Sequence, residues 1–532
     1  MMVSWLRGLS NWRKFVPLGV LLTAATLHGL PALCNAAELH SDAAVVGLQA
    51  RHLLLGEWSR FLWGSGYQTS TDSVLAAFLF WFFGATPLML MLSSFLGHLV
   101  LVSFAFATLR RHFSGWSSAL LVSPLVVTTG PLHIYMFSPP RQAALTLIFA
   151  AIWCLDGASN ARRPALWLAL GAFVSGAACF ADPYALLFLP ALALFALSLG
   201  WGQERSRRVR CLAAAAVGAV LGLVPVWALT HSAEASPGVF RLHTEVISHN
   251  LKLLDEVCLP YLLATTAWFS PSAAGVEVWP APVWFRCIQW VGAVLLLLGV
   301  CAGGVGAAYR AFPAPIRRLA ALGSLMLPVT LAGFALSVMV MDRLSARYLV
   351  AIVLMAPFAL APALQVLGQR RFALLLSPFL LSATVAGWLS YGDDVAGPRI
   401  VIHHERSSDE ALLAEQLREH DLHYGLSDYW VAYRLTFLFG ERTVIVPWHE
   451  KLDRYPPYRS AVAAQLRVAY IFDPWRSKEE LASREADIAS QKTDFAPKFE
   501  SFRAGRYTVL ILRRTRGIDP RLATHGALSD PG

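Results

Sequence analysis

The chain reads as long apolar runs separated by short polar joints, and the joints carry most of the charge. A helix needs about 20 apolar residues to cross a hydrocarbon core of roughly 30 Å. Runs near that length occur at 15–35, 87–108, 115–130, 143–158, 165–181, 184–201, 211–230, 288–308, 319–341, 349–367 and 373–391, which predicts eleven membrane spans. The run at 115–130 is short and contains Pro124, so a broken or tilted helix is expected there. The stretch VLAAFLFWFFG (74–84) is apolar but too short to span and reads as an interfacial or re-entrant helix. Together with a helix over 43–55 and the turn WGSGYQTST between them, it predicts that the loop after the first span is a built structure.

After residue 392 the pattern changes. The β-type runs RIVIHH, TVIVP, VAYIFDP and RYTVLILRR alternate with helical patterns near 408–420, 429–440, 458–466 and 477–491. Such alternation predicts a small α/β domain. The expected division is a membrane domain over 1–391 with its first outer loop at 37–84, a soluble α/β domain over 392–516, and a disordered tail over 517–532. The fold class is therefore a polytopic α-helical membrane protein with about eleven spans and a C-terminal extracytoplasmic α/β domain.

Composition agrees with this reading. Of 532 residues, 56% are hydrophobic and 15% charged, against about 25% charged in soluble domains, which excludes a single ordinary globular domain. The net charge of +10 does not mark a nucleic-acid binder, because the basic residues fall in short clusters between apolar runs. With the amino terminus in the cytoplasm, clusters such as Arg110/Arg111, Arg162/Arg163 and Arg370/Arg371 lie inside. The short outer connections then hold only Arg51, Arg60, Arg141, Arg343 and Arg347, the asymmetry that sets orientation. The expected location is a bacterial inner (plasma) membrane, with the C-terminal domain periplasmic. The first run, followed by ALCNAAE, also has the pattern of a cleavable signal, but a multispanning protein usually keeps its first helix as an anchor. The seven cysteines show no CxxC spacing, so redox or zinc chemistry is not indicated. Cys258 and Cys287 are a pair that a disulfide would join if both lie outside.

Ionisable residues are nearly absent from the predicted spans; Asp156 and Asp182 stand at their ends. Ion-coupled transport usually needs such groups at membrane depth, so their gathering at the outer surface favours chemistry at the interface. Asp42, in AELHSDAAVVGLQARHLLLGE (37–57), stands where a helix begins after the first span. On the residues alone the simplest role for it is an N-cap that accepts orphan N–H groups.

The run HSDAAVVGLQARHLLLGEWSRFLWGSGYQTSTDSVLAAFLFWFFG (40–84) resembles the first outer loop of the GT-C class of membrane glycosyltransferases, nearest to bacterial relatives of protein O-mannosyltransferases and of aminoarabinose transferase. That family places an acidic motif just after the first span, then a helix, spaced glycines with a tyrosine, a second acidic residue and an LxAxxFxxFG-type ending. Asp42, Gly56, Gly64, Tyr67, Asp72 and residues 75–84 match it. SARYLVAIVLMAP (345–357) is similar to a family motif at the outer start of a late span, and FADPYALLFLPAL (180–192) to a turn between middle spans. Ala43 departs from the Glu often found there, and Asp72 stands where Glu is commoner.

The resemblance implies a polyprenyl-phosphate-linked sugar as donor, an acceptor hydroxyl on lipid, glycan or protein, and a single inverting displacement. A carboxylate within hydrogen-bonding reach of the hydroxyl would take its proton, and the planar fork of arginine suits the leaving phosphate. Asp42 is accordingly the candidate general base, with Asp72 orienting acceptor or sugar unless it is another N-cap. Arg141, Arg347, Arg51 and His52 are the candidates for the donor phosphate, and Tyr67 and Gly64 belong to the substrate loop. Each cation also reads as a snorkelling interfacial residue. His231, His243 and His249, with Glu234, Glu245 and His40, are spaced too irregularly for a closed metal site, so no cofactor is assigned and a divalent metal is left open. The aromatics of HYGLSDYWVAYRLTFLFGER read as core packing. The expected partners are the lipid-linked sugar, its acceptor and membrane lipid, and no nucleic acid. A transporter or flippase of lipid-linked sugars and a non-enzymatic membrane scaffold remain as alternative readings.

Overall fold

A computed structural model describes residues 15–127, 137–200, 204–232, 242–267, 279–390, 404–473 and 500–513. The chain opens with α1 (Val16–Cys34), then α2 (Ser41–Leu54) and α3 (Thr71–Phe83), the two helices expected in the first loop. Next come α4 (Pro87–Leu109), α5 (Gly115–Val126), α6 (Gln142–Gly157), α7 (Pro164–Ala181), α8 (Leu189–Gly200) and α9 (Arg205–Thr230). Two short helices, α10 (Ile247–Leu253) and α11 (Leu259–Leu262), precede α12 (Val283–Ala308), α13 (Ala314–Ala335), α14 (Val350–Ala359) and α15 (Ala361–Leu389).

Among the described residues seven helices are long and apolar enough to cross a membrane: α1, α4, α7, α9, α12, α13 and α15. The other expected spans are shorter apolar helices, at Gly115–Val126, Gln142–Gly157, Pro183–Leu199 and Leu344–Ala359. The last two expected spans are divided differently from their apolar runs. Leu360 ends α14, and Pro362, which has no N–H to donate, sits in the first turn of α15. Gly368 then breaks α15 at φ 71°, a conformation open to glycine, at the expected polar joint before Arg370/Arg371.

Physical features of a lipid-facing bundle are present. Val217, Val220, Leu221 and Trp227 of α9 are 58–65% exposed, an apolar face that water would not tolerate as a continuous patch. α7 and α9 approach backbone to backbone, and a Cβ on Gly176 would meet Gly222 at 2.5 Å, the small-residue packing that joins helices where hydrophobic burial offers no gain.

The connections sort to two ends. At one, Gln369 donates to Ser114 and Ser117 at 3.1 and 2.6 Å, while Arg111 and His112 meet Asp156 at 3.0 and 2.9 Å. These joints carry the basic clusters. The other end gathers α2 and α3, the start of α6, the turn after α7, the 3-10 turn Arg343–Leu349 and the C-terminal domain. Cys258 is buried, Cys287 is exposed, and both are free thiols, so the expected bridge between them does not form.

The C-terminal domain runs α16 (His404–Glu419), β1 (Tyr424–Ser427), α17 (Tyr429–Leu438), β2 (Val444–Pro447), α18 (Pro456–Ala463), β3 (Arg467–Phe472), β4 (Glu500–Ala504) and β5 (Tyr507–Arg513). Its sheet has the order β2-β1-β3-β5-β4, with β1 parallel to β2 and β3, and β5 antiparallel to β3 and β4. Three of the four expected strands appear; RIVIHH begins in residues outside the described ones, and His404 opens α16. The helical pattern at 477–491 and the tail at 517–532 also lie outside them. Two strands escape sequence reading. β1 is four residues long inside an aromatic helical pattern, and Asp428 then accepts the Trp430 N–H to start α17. β4 is a polar strand that, among the described residues, ends the sheet and pairs only with β5.

The sheet domain is tied to the first loop. Ser41 Oγ donates to the Tyr429 carbonyl at 2.6 Å, and a Cβ on Gly47 would meet the Phe437 ring at 2.7 Å. α17 therefore lies directly on α2.

Candidate active site

The site starts from how α2 begins. His40, not Asp42, is the N-cap: its Nδ1 accepts the Ala43 N–H at 3.2 Å. Asp42 falls in the first turn, relieved of capping, with a side chain 22% exposed. Its Oδ1 accepts the Tyr429 hydroxyl in a short hydrogen bond and lies 3.6 Å from Arg454 Nη2. Oδ2 has no hydrogen bond among the described residues. Burial alone would raise the pKa of Asp42. Arg454, His40 and Arg347 nearby, together with the Tyr429 hydroxyl, outweigh it and hold the carboxyl below its usual 3.8. Asp42 is thus a carboxylate at neutral pH.

Asp42 faces a cleft of about 750 Å³, open mouth included. Tyr67 and Gln68 line it from the turn after α2, Arg141 from the start of α6, Arg347 and Tyr348 from the turn before α14, and Tyr429 and Arg454 from the C-terminal domain. Of the expected site residues, Asp42, Arg141, Arg347 and Tyr67 meet here. Burial pushes the Tyr67 hydroxyl up to about 12, so it stays a neutral donor.

Arg141 is built into place by two carboxylates. It adopts φ 106°, a left-handed conformation that non-glycine residues avoid unless their surroundings enforce it. Asp72 enforces it by accepting the Arg141 and Ala143 N–H groups at 3.0 and 3.1 Å, which caps α6. Asp72 is 7% exposed and is not among the cleft-lining residues. It is a cap, as one of its expected readings had it, but of a helix 69 residues further on, and it orients Arg141 instead of acceptor or sugar. Asp182, at the end of α7, receives Arg141 Nε at 2.9 Å and Gln68 Nε2 at 2.6 Å. The guanidinium lies 4.6 Å from the Tyr184 ring centre and 5.5 Å from that of Tyr348, within cation–π range. Arg347 donates to the Tyr348 hydroxyl at 3.2 Å.

Gly64 admits the C-terminal domain to the cleft. It sits at φ +63°, where a Cβ would meet Arg454 Cα at 2.8 Å, and its carbonyl accepts Arg454 Nη1 at 3.0 Å. Arg454 also donates from Nε to the Tyr429 hydroxyl at 3.0 Å. Tyr433 fixes this loop, donating to Asp453 at 2.5 Å and accepting the Arg454 N–H at 2.6 Å. Tyr429, Arg454 and Asp182 were not among the expected site residues. The aromatic stretch read as core packing does place Tyr433 and Phe437 in the core, and it also contributes Tyr429 to the cleft. Its i, i+4 tyrosines, 429 and 433, were the available sign; FADPY was the sign for Asp182.

Arg51 and His52 lie elsewhere. They are nine and ten residues beyond Asp42, roughly 13–15 Å along a helix. His52 bridges Glu57 and Glu441 at 2.7 and 2.8 Å, and Arg51 lies 3.6 Å from Glu441. Trp63 stacks on Tyr455 at 4.0 Å beside them. This cluster joins α2 to the C-terminal domain. Burial would lower the His52 pKa, but its hydrogen bonds to the Glu441 and Glu57 carboxylates raise it above 6.5. Its stabilisation is therefore complete below pH 6.5 and fades as pH rises through the folded-state value. The stability gap between wild type and His52→Gln in thermal melts is expected to be widest below about pH 6.5 and to narrow as pH rises; a constant gap would deny His52 that role.

The histidines between α9 and α12 do not converge. His231 contacts the Trp227 carbonyl and His243 contacts Glu245, while Glu234 lies outside the described residues. Among the described residues, no three His, Cys, Asp or Glu side chains are grouped to hold a metal ion.

No family model matches the chain, and no curated protein matches its sequence. Among solved structures it is similar to ArnT from Cupriavidus metallidurans in the apo state, at 13% identity and TM-score 0.48, over 95% of this chain and 98% of that one. It is similar to the same protein bound to undecaprenyl phosphate at 13% identity and TM-score 0.46, over 94% and 98%. For the oligosaccharyltransferase of Archaeoglobus fulgidus the values are 12% and 0.49, over 87% of this chain and 70% of that one.

Proposed function

We propose that this protein is a membrane glycosyltransferase that moves a sugar from a polyprenyl-phosphate donor to an acceptor hydroxyl at the outer face of a bacterial plasma membrane. The observation that carries the reading is the placement of one ionised carboxylate, Asp42, in the same cleft as the guanidinium groups of Arg141 and Arg347, at one end of a bundle of apolar helices. Displacement at an anomeric carbon needs those two elements on opposite sides of the reacting atom.

In the proposed step the acceptor oxygen forms a bond to the anomeric carbon while its proton passes to Asp42. The bond from that carbon to the phosphate oxygen breaks, and the polyprenyl phosphate leaves with the electron pair. One such displacement inverts the anomeric centre. Asp42 acts as general base, and Arg141 and Arg347 meet the leaving phosphate. Asp72 and Asp182 are positioning residues for Arg141, and Tyr67 and Gly64 frame the substrate loop. A cleft at the membrane interface suits a donor whose prenyl chain stays in lipid, and α3 exposes the apolar side chains of Phe78, Trp81 and Phe82.

The donor assignment is tested by binding. Arg347→Ala is expected to weaken binding of a polyprenyl phosphate about tenfold or more, since hydrogen bonds to charged groups contribute about 1.5–3 kcal/mol. Binding of the neutral polyprenol should be unchanged. Equal affinity of variant and wild type for the phosphate would remove Arg347 from the donor site.

A further inference from the structure

Asp42 and the two groups that face its Oδ1, the Tyr429 hydroxyl that donates to it and the Arg454 guanidinium 3.6 Å away, come from opposite ends of the chain; Tyr429 is 387 residues away. Both groups are held independently of Asp42. Tyr429 is tethered through its backbone carbonyl to Ser41, the residue before Asp42. Arg454 is fixed by Tyr433 through its own N–H, by Gly64 through that residue's carbonyl, and by Tyr429 through its hydroxyl. The C-terminal domain thus presents a preformed hydroxyl donor and a fixed guanidinium charge to one oxygen of the carboxylate.

We propose that Tyr429 and Arg454 are positioning residues for Asp42, which occupy one carboxylate oxygen, leave the other open to the acceptor hydroxyl, and make the C-terminal domain a required part of the base. The proposal rests on the reading of Asp42 as general base. A base whose two oxygens are interchangeable rotates between orientations; one with Oδ1 pinned presents Oδ2 in a fixed direction, which is the pre-organisation that proton transfer rewards. The same contacts keep the carboxylate ionised. The groups facing Asp42 are His40 from its own helix end, Arg347 from the turn before α14, and Tyr429 and Arg454 from the C-terminal domain. With the last two removed, burial works against the charge with less opposition, and the carboxyl pKa rises.

The test uses the full chain in lipid nanodiscs and the variants Tyr429→Phe, Arg454→Gln and Arg454→Lys. Tyr429→Phe removes one oxygen and keeps the ring that packs on α2, so folding is preserved. Two readouts are taken: the pH dependence of kcat for transfer, and the infrared carboxyl titration of Asp42, identified by its loss in Asp42→Asn. In Tyr429→Phe and Arg454→Gln the acid limb and the infrared titration are both expected to move up by about one pH unit. In those two variants kcat at neutral pH should fall about tenfold, with donor KM within about twofold. Arg454→Lys should recover part of both. A loss of kcat with neither titration moved would mean a structural role only and overturn the proposal. If the infrared titration moves while no preparation transfers sugar, the positioning of Asp42 stands and the transferase reading falls instead.

Discussion

Replacing Asp42 by asparagine is expected to lower kcat for sugar transfer by about 10²–10⁴-fold, the usual contribution of a general base, with donor affinity kept or improved. Asparagine has the same shape, and its amide oxygen can still accept the Tyr429 hydroxyl, so the cleft should keep its form. What it loses is the ability to take a proton. It also removes one negative charge from a cleft that holds Arg141, Arg347 and Arg454, so an anionic donor should bind at least as well as before. A fall in kcat without a rise in donor KM marks an interaction made only in the transition state. A rise in donor KM at unchanged kcat would make Asp42 a binding residue.

Arg141→Ala has the largest expected effect on stability. The side chains of Arg141 and Asp182 are 18% and 3% exposed and pair at 2.9 Å. Removing one member of a buried pair leaves the other as an uncompensated charge, at about 3–5 kcal/mol. The low end applies here, because Gln68 and the Tyr184 N–H still donate to Asp182. A thermal melt in detergent should show the loss. Adding Asp182→Asn to the same chain should recover part of it, since the orphaned charge is gone, while donor affinity stays low. If the second change destabilises further, the pair is not the source of the loss.

Much of this arrangement was legible in the residues, for reasons that differ by element. Hydrocarbon thickness fixes span length, so the apolar runs marked the seven described helices that are long and apolar enough to cross a membrane. Asp42, Gly64, Tyr67 and Asp72 lie within one loop and were singled out by the family pattern there, and Arg141 and Arg347 by their place in short joints between apolar runs. Roles that depend on a distant partner were not legible. Asp72 was recognisable as a helix-starting carboxylate, yet the helix that it caps belongs to another part of the chain. Arg51 and His52 are near Asp42 in sequence, but helix rise carries them to a different contact. Tyr429 and Arg454 reach Asp42 only because β1 ends at Ser427 and turns α17 down onto α2, and a four-residue strand inside an aromatic stretch leaves no period to read. Gly64 was found through a family pattern; its physical reason, the close approach of the Arg454 backbone, appears only in three dimensions.

The most direct test of the central claim is transfer by purified protein in nanodiscs, supplied with a defined polyprenyl-phosphate sugar and a membrane acceptor fraction, with products identified by mass. Wild type should form an acceptor heavier by one sugar residue and release the polyprenyl phosphate, and Asp42→Asn should form none above background. Transfer by Asp42→Asn at the wild-type rate, or no transfer by wild type from any polyprenyl-phosphate sugar, would contradict it.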